Sequence, residues 1–195
     1  RNHVSAVILF DETIRQKARD GRQLTEIITS GGALPGIKLD TGAKKLALSE
    51  NETVTEGLDG LRERIKDYAS LGAKFAKWRA TIDPSGSGPS HNCIHANAHA
   101  LARYAALCQE GGIVPMVEPE VLMDGDNDID TCAAVTEWVL KETYQELYYA
   151  GVVLEGKPGT ASLGLIQGGA LEESNVDLSS ELVALIVAQR NFQAN

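Results

Sequence analysis

The residues of this chain whose types and spacing could do chemistry are ionisable side chains two positions apart in three apolar stretches. The pairs are Lys38 and Asp40, Lys77 and Arg79, and Glu118 and Glu120. Because side chains alternate along a β-strand, the two members of each pair must lie on the same face. Neighbouring strands would therefore bring three cations and three anions to one side of one sheet.

Lysines and glutamates that share an interior could catalyse Schiff-base chemistry. A lysine beside another cation and away from water has its ammonium form disfavoured, so a neutral amine becomes available as a nucleophile toward a carbonyl. Glu118 or Glu120 would then move protons during carbinolamine formation and dehydration, while Arg79 or Lys38 holds an anionic group. The alternative interpretation is a charge-balanced network that packs the interior of the protein and has no catalytic role.

Alternating apolar and amphipathic segments predict the elements that position these residues. Strands are expected at 4–10, 34–40, 73–81 and 113–120, with a fifth starting at 152, and helices at 24–30, 58–68, 90–110 and 131–150. Intervening helices imply parallel strands covered on their outer face, so the charges would lie inside a barrel near the strand ends. A solvated face of an antiparallel sheet is the alternative.

Composition narrows the classes of partner and compartment. The formal net charge of −9 argues against a nucleic-acid backbone as partner. No apolar run is long enough to span a bilayer, so a membrane is not expected either. Cys93, Cys108 and Cys132 show no paired spacing, which favours a reducing compartment and hence the cytoplasm.

Seven stretches within residues 4 to about 156 carry a resemblance to a known family. They lie at 7–13, 35–42, 55–61, 75–79, 101–105, 117–120 and 154–156. Together they resemble the middle of a class I fructose-bisphosphate aldolase. The resemblance implies an α/β fold over residues 1–157, a partial (β/α)₈ TIM barrel with about five βα units. It also implies reversible cleavage of fructose 1,6-bisphosphate to dihydroxyacetone phosphate and glyceraldehyde 3-phosphate in glycolysis, by a homo-oligomer that needs no cofactor or metal.

The resemblance also assigns roles to the ionisable residues. Glu118 corresponds to the family's acid/base carboxylate, and Glu120 to the carboxylate beside it. Lys77 corresponds to the lysine next to the Schiff base, which assists carbinolamine chemistry and bond cleavage. Lys38 and Arg79 correspond to cations that bind the bisphosphate substrate.

The position of the nucleophilic lysine departs from the family pattern. In the family this lysine follows Leu-Glu-Gly after three further residues, whereas this chain reads Leu-Glu-Gly-Lys-Pro at 154–158. The candidate Lys157 thus lies two residues after Glu155 instead of five, and on a strand it would face the opposite side. The family's first strand and last two strands have no counterpart here. These departures count against activity of this chain on its own.

The last part of the chain resembles an unrelated family. Residues 168–183 and 188–195 are similar to the C-terminal region of a flagellar hook or axial rod protein, and we assign 158–195 to this segment. Its helical spacing predicts an amphipathic helix whose apolar seam would assemble with another helix, through Leu178, Leu182, Leu185 and Phe192. Docking of this helix on its own domain is the simpler alternative. Three hypotheses for the whole chain remain. It is a chimera of an aldolase and a hook protein, or a structural axial protein of the bacterial flagellum, or two sequences that were joined in error.

Two other patterns are typical of metal sites. His91, His95 and His99 fall one helical turn apart, a spacing able to hold a metal. Because the resemblance implies no metal, we interpret them as a solvated helix face. The acidic run 124–130 is similar to a calcium loop but lacks the required glycine and bidentate glutamate, so it is expected to cap the following helix.

Overall fold

The structure is a computed structural model that describes residues 4–152, all within one compact unit of residues 1–153. The elements in chain order are β1 (Ala6–Leu9), α1 (Asp11–Ile14), α2 (Leu24–Ser30), β2 (Leu34–Lys38), β3 (Gly42–Lys45), β4 (Thr53–Glu56), α3 (Leu61–Ser70), β5 (Phe75–Ile82), α4 (His91–Glu110), β6 (Val114–Val121) and α5 (Ile129–Tyr149). The strands and helices expected from the sequence up to residue 150 are therefore present, with ends that agree to within three residues.

A parallel sheet of four strands forms the centre of the described chain. Its strand order is β1-β2-β5-β6, and every neighbouring pair is parallel. This confirms the parallel interpretation over the antiparallel one, because each connection between these strands carries a helix. Lys38 is the register partner of Lys77, and Arg79 is the register partner of Glu118.

The helices cover one face of this sheet, and strand alternation decides which side chains they bury. Trp78, Ala80 and Ile82 of β5 are buried on that face. The Trp78 ring packs against Tyr104 of α4 with 5.3 Å between ring centroids. Lys77 and Arg79 alternate with these residues and so project from the opposite face.

Local capping determines where the two long helices begin. Ser90 precedes α4 and its hydroxyl accepts a hydrogen bond from the Cys93 backbone N–H at 3.1 Å. Asp128 precedes α5 and accepts from the Thr131 backbone N–H at 2.8 Å. Both are side-chain caps of otherwise unpaired donors at a helix N-terminus. The prediction that the acidic run caps the following helix is thus confirmed.

A β-hairpin, which the polar and turn-rich segment 41–56 did not reveal, lies beside β5. Strands β3 and β4 pair in antiparallel fashion from Gly42 opposite Glu56 to Lys45 opposite Thr53. The pairing of β2 with β5 ends at Lys38 and Lys77, which leaves the second half of β5 without a strand neighbour on that side. The hairpin occupies this place and is fixed there by threonine side chains, as described below.

The expected barrel can be compared with the structure only within the described residues. Four parallel strands are present within residues 4–152 instead of about five βα units, and Val152 is the only residue of the expected fifth strand that is described. The predicted boundary at 157, the candidate Lys157 and the C-terminal helix with its seam all lie outside the described residues. No helix in the described range is both long enough and apolar enough to cross a membrane.

Candidate active site

Six ionisable residues form three ion pairs on the sheet face that the helices leave uncovered. Lys38 contacts Asp40, Lys77 Nζ lies 2.9 Å from Glu118 Oε2, and Arg79 holds Glu120. The expectation that the three strands bring their charges to one face is confirmed, because β2, β5 and β6 are neighbours in the sheet. We call this set of residues the charged face.

The pairs between β5 and β6 are diagonal across the strands. The register partner of Lys77 is Met116, yet Lys77 reaches Glu118 two residues further on. Arg79 is likewise opposite Glu118 and reaches Glu120. Such diagonal neighbours lie within the range of long side chains. Both cations therefore lean in the same direction, toward the carboxyl ends of the strands.

Asp40 is the most buried of the six and fixes the backbone of its neighbours. Its side chain is only 3% exposed. One carboxylate oxygen accepts from Lys38 Nζ and from the Gly42 backbone N–H at 3.1 Å, and the other lies 3.4 Å from the Arg79 backbone N–H. The sequence pattern identified Asp40 as a member of a pair but assigned it no role. Its position shows that it links β2 to the start of the hairpin and to β5.

Both backbone polar groups of Arg79, the N–H and the carbonyl, contact side chains from outside β5. Its N–H faces the Asp40 carboxylate, and its carbonyl accepts a hydrogen bond from the Thr55 hydroxyl at 2.8 Å. Two residues along, the Thr81 carbonyl accepts from the Thr53 hydroxyl at 3.3 Å. These side chains thus replace the backbone hydrogen bonds that β2 would have made to β5 if it continued beyond Lys38. Thr53 and Thr55 are positioning residues that the sequence patterns missed.

The two glutamates of β6 differ in how they are engaged. Both nitrogens at one edge of the Arg79 guanidinium donate to Glu120, and this bidentate bond lowers the pKa of Glu120 and raises the pKa of Arg79. Glu118 Oε2 is buried and accepts no aligned hydrogen bond from the described residues, although Lys77 Nζ lies 2.9 Å away as an ion partner. Glu120 is held as an anion by two hydrogen bonds from one guanidinium, whereas Glu118 is paired through Oε2 with the single ammonium of Lys77.

The surroundings of Lys77 correct one expectation. The sequence argument for a neutral amine required a lysine isolated beside another cation and away from water. Lys77 is instead paired with Glu118, and its side chain remains 26% exposed. The neighbouring Lys38 is paired with its own carboxylate. Within the described residues, the charged face is a balanced set of three cations and three anions.

Below the ions, Phe75 closes the charged face. Phe75 precedes Lys77 by two residues on β5 and therefore projects from the same face. Its ring lies directly over Gly36 of β2, where a Cβ would be 2.3 Å from the ring. The absence of a side chain at Gly36 makes this contact possible.

The three histidines lie on an exposed helix face, as the sequence predicts, and two of them have carboxylate partners. His95 Nδ1 lies 2.8 Å from Glu142 Oε1, and His99 Nδ1 lies 2.8 Å from Glu146 Oε2. His91 instead contacts the Trp138 ring edge-on, with 5.7 Å between centroids. The interpretation as a solvated face is confirmed, since the His95 and His99 side chains are 52% and 54% exposed. Helix α5 packs beside α4 and supplies carboxylate partners that the sequence spacing of α4 alone did not reveal.

Comparison with known proteins connects this geometry to a family. Residues 1–181 match the family "Fructose-bisphosphate aldolase class-I". The chain is 54% identical over 180 residues to the "Probable fructose-bisphosphate aldolase class 1" of Xanthomonas campestris pv. campestris, covering 92% of this chain and 54% of that protein. It is 51% identical over 164 residues to "Fructose-bisphosphate aldolase 6, cytosolic" of Arabidopsis thaliana, covering 83% of this chain and 46% of that protein.

A solved structure has the same arrangement. The fructose-bisphosphate aldolase of Plasmodium falciparum, crystallised with TRAP and a small-molecule inhibitor, is similar with a TM-score of 0.73 and 42% identity, over 76% of this chain and 43% of that chain. The chain thus spans about half the length of the curated relatives it matches. The matched family range continues to residue 181, across part of the segment 158–195, and these relatives lend no support to the flagellar alternative.

Proposed function

Since the chain belongs to the class I fructose-bisphosphate aldolases, we propose that its charged face serves the reversible cleavage of fructose 1,6-bisphosphate to dihydroxyacetone phosphate and glyceraldehyde 3-phosphate. The observation that carries the proposal is the Lys77–Glu118 pair on an accessible sheet face, with cations on both sides of it. A ketose phosphate needs a proton-transfer group near its carbonyl and cations for its phosphates, and these residues supply both kinds of group.

Glu118 is the proton-transfer group in this proposal. Protonation and dehydration of a carbinolamine require a carboxyl that exchanges a proton with the substrate oxygen. Glu118 is paired through Oε2 with the single ammonium of Lys77, whereas both oxygens of Glu120 are taken by Arg79. Glu120 then contributes charge and holds the orientation of Arg79. Lys77 holds Glu118 in place and stabilises negative charge on the substrate oxygen.

Lys38 and Arg79 are the phosphate-binding cations in this proposal. Both project from the charged face on strands next to each other, and their side chains are 28% and 44% exposed. Guanidinium and ammonium groups bind phosphate oxygens by charge-assisted hydrogen bonds, and a phosphate dianion competes well with a single carboxylate for them. A metal or organic cofactor has no part in this proposed chemistry.

The proposed cleavage also requires a lysine amine that forms the Schiff base with the substrate. Lys157 is the candidate that the sequence offers, and its spacing from Glu155 predicts that on a strand it would face the opposite side from the family's lysine. We therefore propose that Lys157 takes up substrate poorly. In this proposal the enzyme acts as a homo-oligomer. The cytosolic designation of its plant relative supports a cytoplasmic location.

The role of Glu118 is tested by the Glu118→Gln substitution in the full chain. The amide keeps the shape of the side chain but moves no proton. We expect kcat for cleavage of fructose 1,6-bisphosphate to fall about 10²- to 10⁴-fold, in the range of general acid–base contributions. Glu110→Gln is the matched control, because Glu110 pairs with Arg62 at an exposed site. An unchanged kcat in the Glu118 variant would show that Glu118 is not the proton-transfer group.

The covalent step has its own test. Borohydride reduction in the presence of dihydroxyacetone phosphate converts a Schiff base to a stable amine, which tandem mass spectrometry assigns to one lysine. We expect little adduct at Lys157, and near-stoichiometric labelling of Lys157 would contradict the strand-parity argument. A full chain that neither cleaves the sugar bisphosphate nor forms any lysine adduct would overturn the proposed function for this chain.

A further inference from the structure

A second cluster of chemically active side chains lies on the far side of the sheet from the charged face. His95 and His99 are one turn apart on α4, and Glu142 and Glu146 are one turn apart on α5. Helix α4 packs on the Trp78 face of β5 through Tyr104, whereas Lys77 and Arg79 project from the other face. The cluster therefore takes no part in the proposed cleavage of the sugar bisphosphate.

The distances within this cluster suit a small cation. His95 Nδ1 lies 2.8 Å from Glu142 Oε1 and 3.8 Å from Glu146 Oε1. The ligand atoms that these three residues offer all lie within 4.8 Å of one another. A tetrahedral zinc ion with bonds of about 2.0–2.2 Å needs ligand atoms roughly 3.5 Å apart. Small rotations of the side chains therefore bring the three atoms to zinc geometry.

The surroundings of the three atoms favour binding from solvent. The His95 side chain is 52% exposed, so an ion can reach it, while Glu142 and Glu146 are 18% and 13% exposed and held between the helices. Two carboxylates this close together repel each other, and a divalent cation removes that repulsion. Without metal, the same hydrogen bond to Glu142 raises the pKa of His95.

We propose that His95, Glu142 and Glu146 form a zinc site that joins α4 to α5, with the fourth position open to water. His99 Nδ1–H donates to Glu146 Oε2, 2.8 Å away, and so orients that carboxylate without being a zinc ligand itself. One imidazole nitrogen with two carboxylates is a zinc-type donor set, whereas calcium and magnesium require more oxygen ligands. On binding, zinc displaces the proton shared by His95 and Glu142.

The probe is Zn²⁺ added to the full chain, prepared without a histidine tag and stripped with a chelator. Competition with a chromophoric chelator is expected to give saturable binding at one site per chain. His95→Ala and Glu146→Gln should each weaken the affinity roughly tenfold or more. Zinc should also raise the thermal unfolding midpoint of the natural chain and not of the His95 variant, because only the folded state binds it.

His91→Ala is the matched control, since His91 lies on the same helix but contacts Trp138 instead of a carboxylate. Its zinc affinity is expected to equal that of the natural chain. Co²⁺ in place of zinc should give the visible bands of nitrogen and oxygen ligation without a thiolate band, which separates this site from the three cysteines. Equal zinc affinity in the natural chain and the His95 variant, or an equal loss in the His91 variant, would overturn the proposal.

Discussion

Lys38 and Lys77 are register partners on adjacent parallel strands, and each ammonium group is turned to a different carboxylate. Two cations side by side repel each other, and the sheet tolerates them because Asp40 and Glu118 flank them. The charged face is thus stable as a set, and removal of any one anion leaves two neighbouring cations partly uncompensated. This coupling underlies the first prediction.

Asp40→Asn is expected to lower the free energy of unfolding by about 1–3 kcal/mol, because it leaves Lys38 without its carboxylate next to Lys77. The Asp40 side chain is buried, and its amide replacement offers one acceptor instead of two for the Lys38, Gly42 and Arg79 donors. Urea unfolding followed by circular dichroism measures the change. Asp20→Asn is the control, since its pair with Arg22 is exposed and is worth little. Equal effects of the two substitutions would contradict this prediction.

Trp78 offers a test of the contact between sheet and helices. Trp78→Ala is expected to cost about 3–5 kcal/mol, because the fully buried indole packs on Tyr104 and its removal leaves a cavity. Trp78→Phe should cost much less, since it keeps an aromatic ring and removes an indole N–H that has no hydrogen-bond partner within the described residues. Chemical denaturation of both variants provides the comparison. A phenylalanine variant as unstable as the alanine variant would show that the shape of the indole, not aromatic burial, dominates.

The His95–Glu142 pair predicts a specific dependence of stability on pH in chelator-treated protein. The hydrogen bond that His95 donates to Glu142 raises the pKa of His95 above its ordinary value of 6.5. The folded state therefore binds this proton more tightly than the unfolded state. The resulting stabilisation is complete below about pH 6.5 and is lost as the pH rises through the folded pKa.

Titration of the histidine ring signals by NMR measures this pKa directly. The His95 signal should titrate with a midpoint above 6.5, and Glu142→Gln should move that midpoint down. His95→Gln should flatten the part of the stability profile that begins at about pH 6.5 and extends to higher pH. A His95 midpoint at or below 6.5 in the natural chain would show that the pair does not form in solution.

The three cysteines should react at different rates with a thiol-specific disulfide reagent. Burial raises the pKa of the Cys93 thiol to about 11 and that of Cys108 to about 12, so few thiolates form at neutral pH. Cys132 is the only one of the three with a partly exposed side chain. The folded protein should therefore show one fast equivalent, which Cys132→Ser removes, and the other two should react on unfolding. Fast labelling of Cys108 in the folded chain would contradict the buried position of its helix face.

The alternation of side chains along strands made the charged face predictable, but its partners required the fold. Lys77 and Arg79 had to share a face, and neighbouring strands with intervening helices brought Glu118 and Glu120 to them. The Glu142 partner of His95 lies 47 residues away along the chain, and only the packing of α5 beside α4 brings them together. The hairpin was missed because its place depends on β2 ending at Lys38 while β5 continues to Ile82.

The threonine contacts between the hairpin and β5 have a consequence for solubility. An exposed strand edge invites pairing with strands of other molecules and leads to aggregation. Thr53 and Thr55 donate to two carbonyls of β5 that such an invading strand would use, and Asp40 faces the Arg79 N–H that precedes them. Intermolecular strand invasion at the second half of β5 is therefore blocked, which keeps this strand from nucleating fibrils.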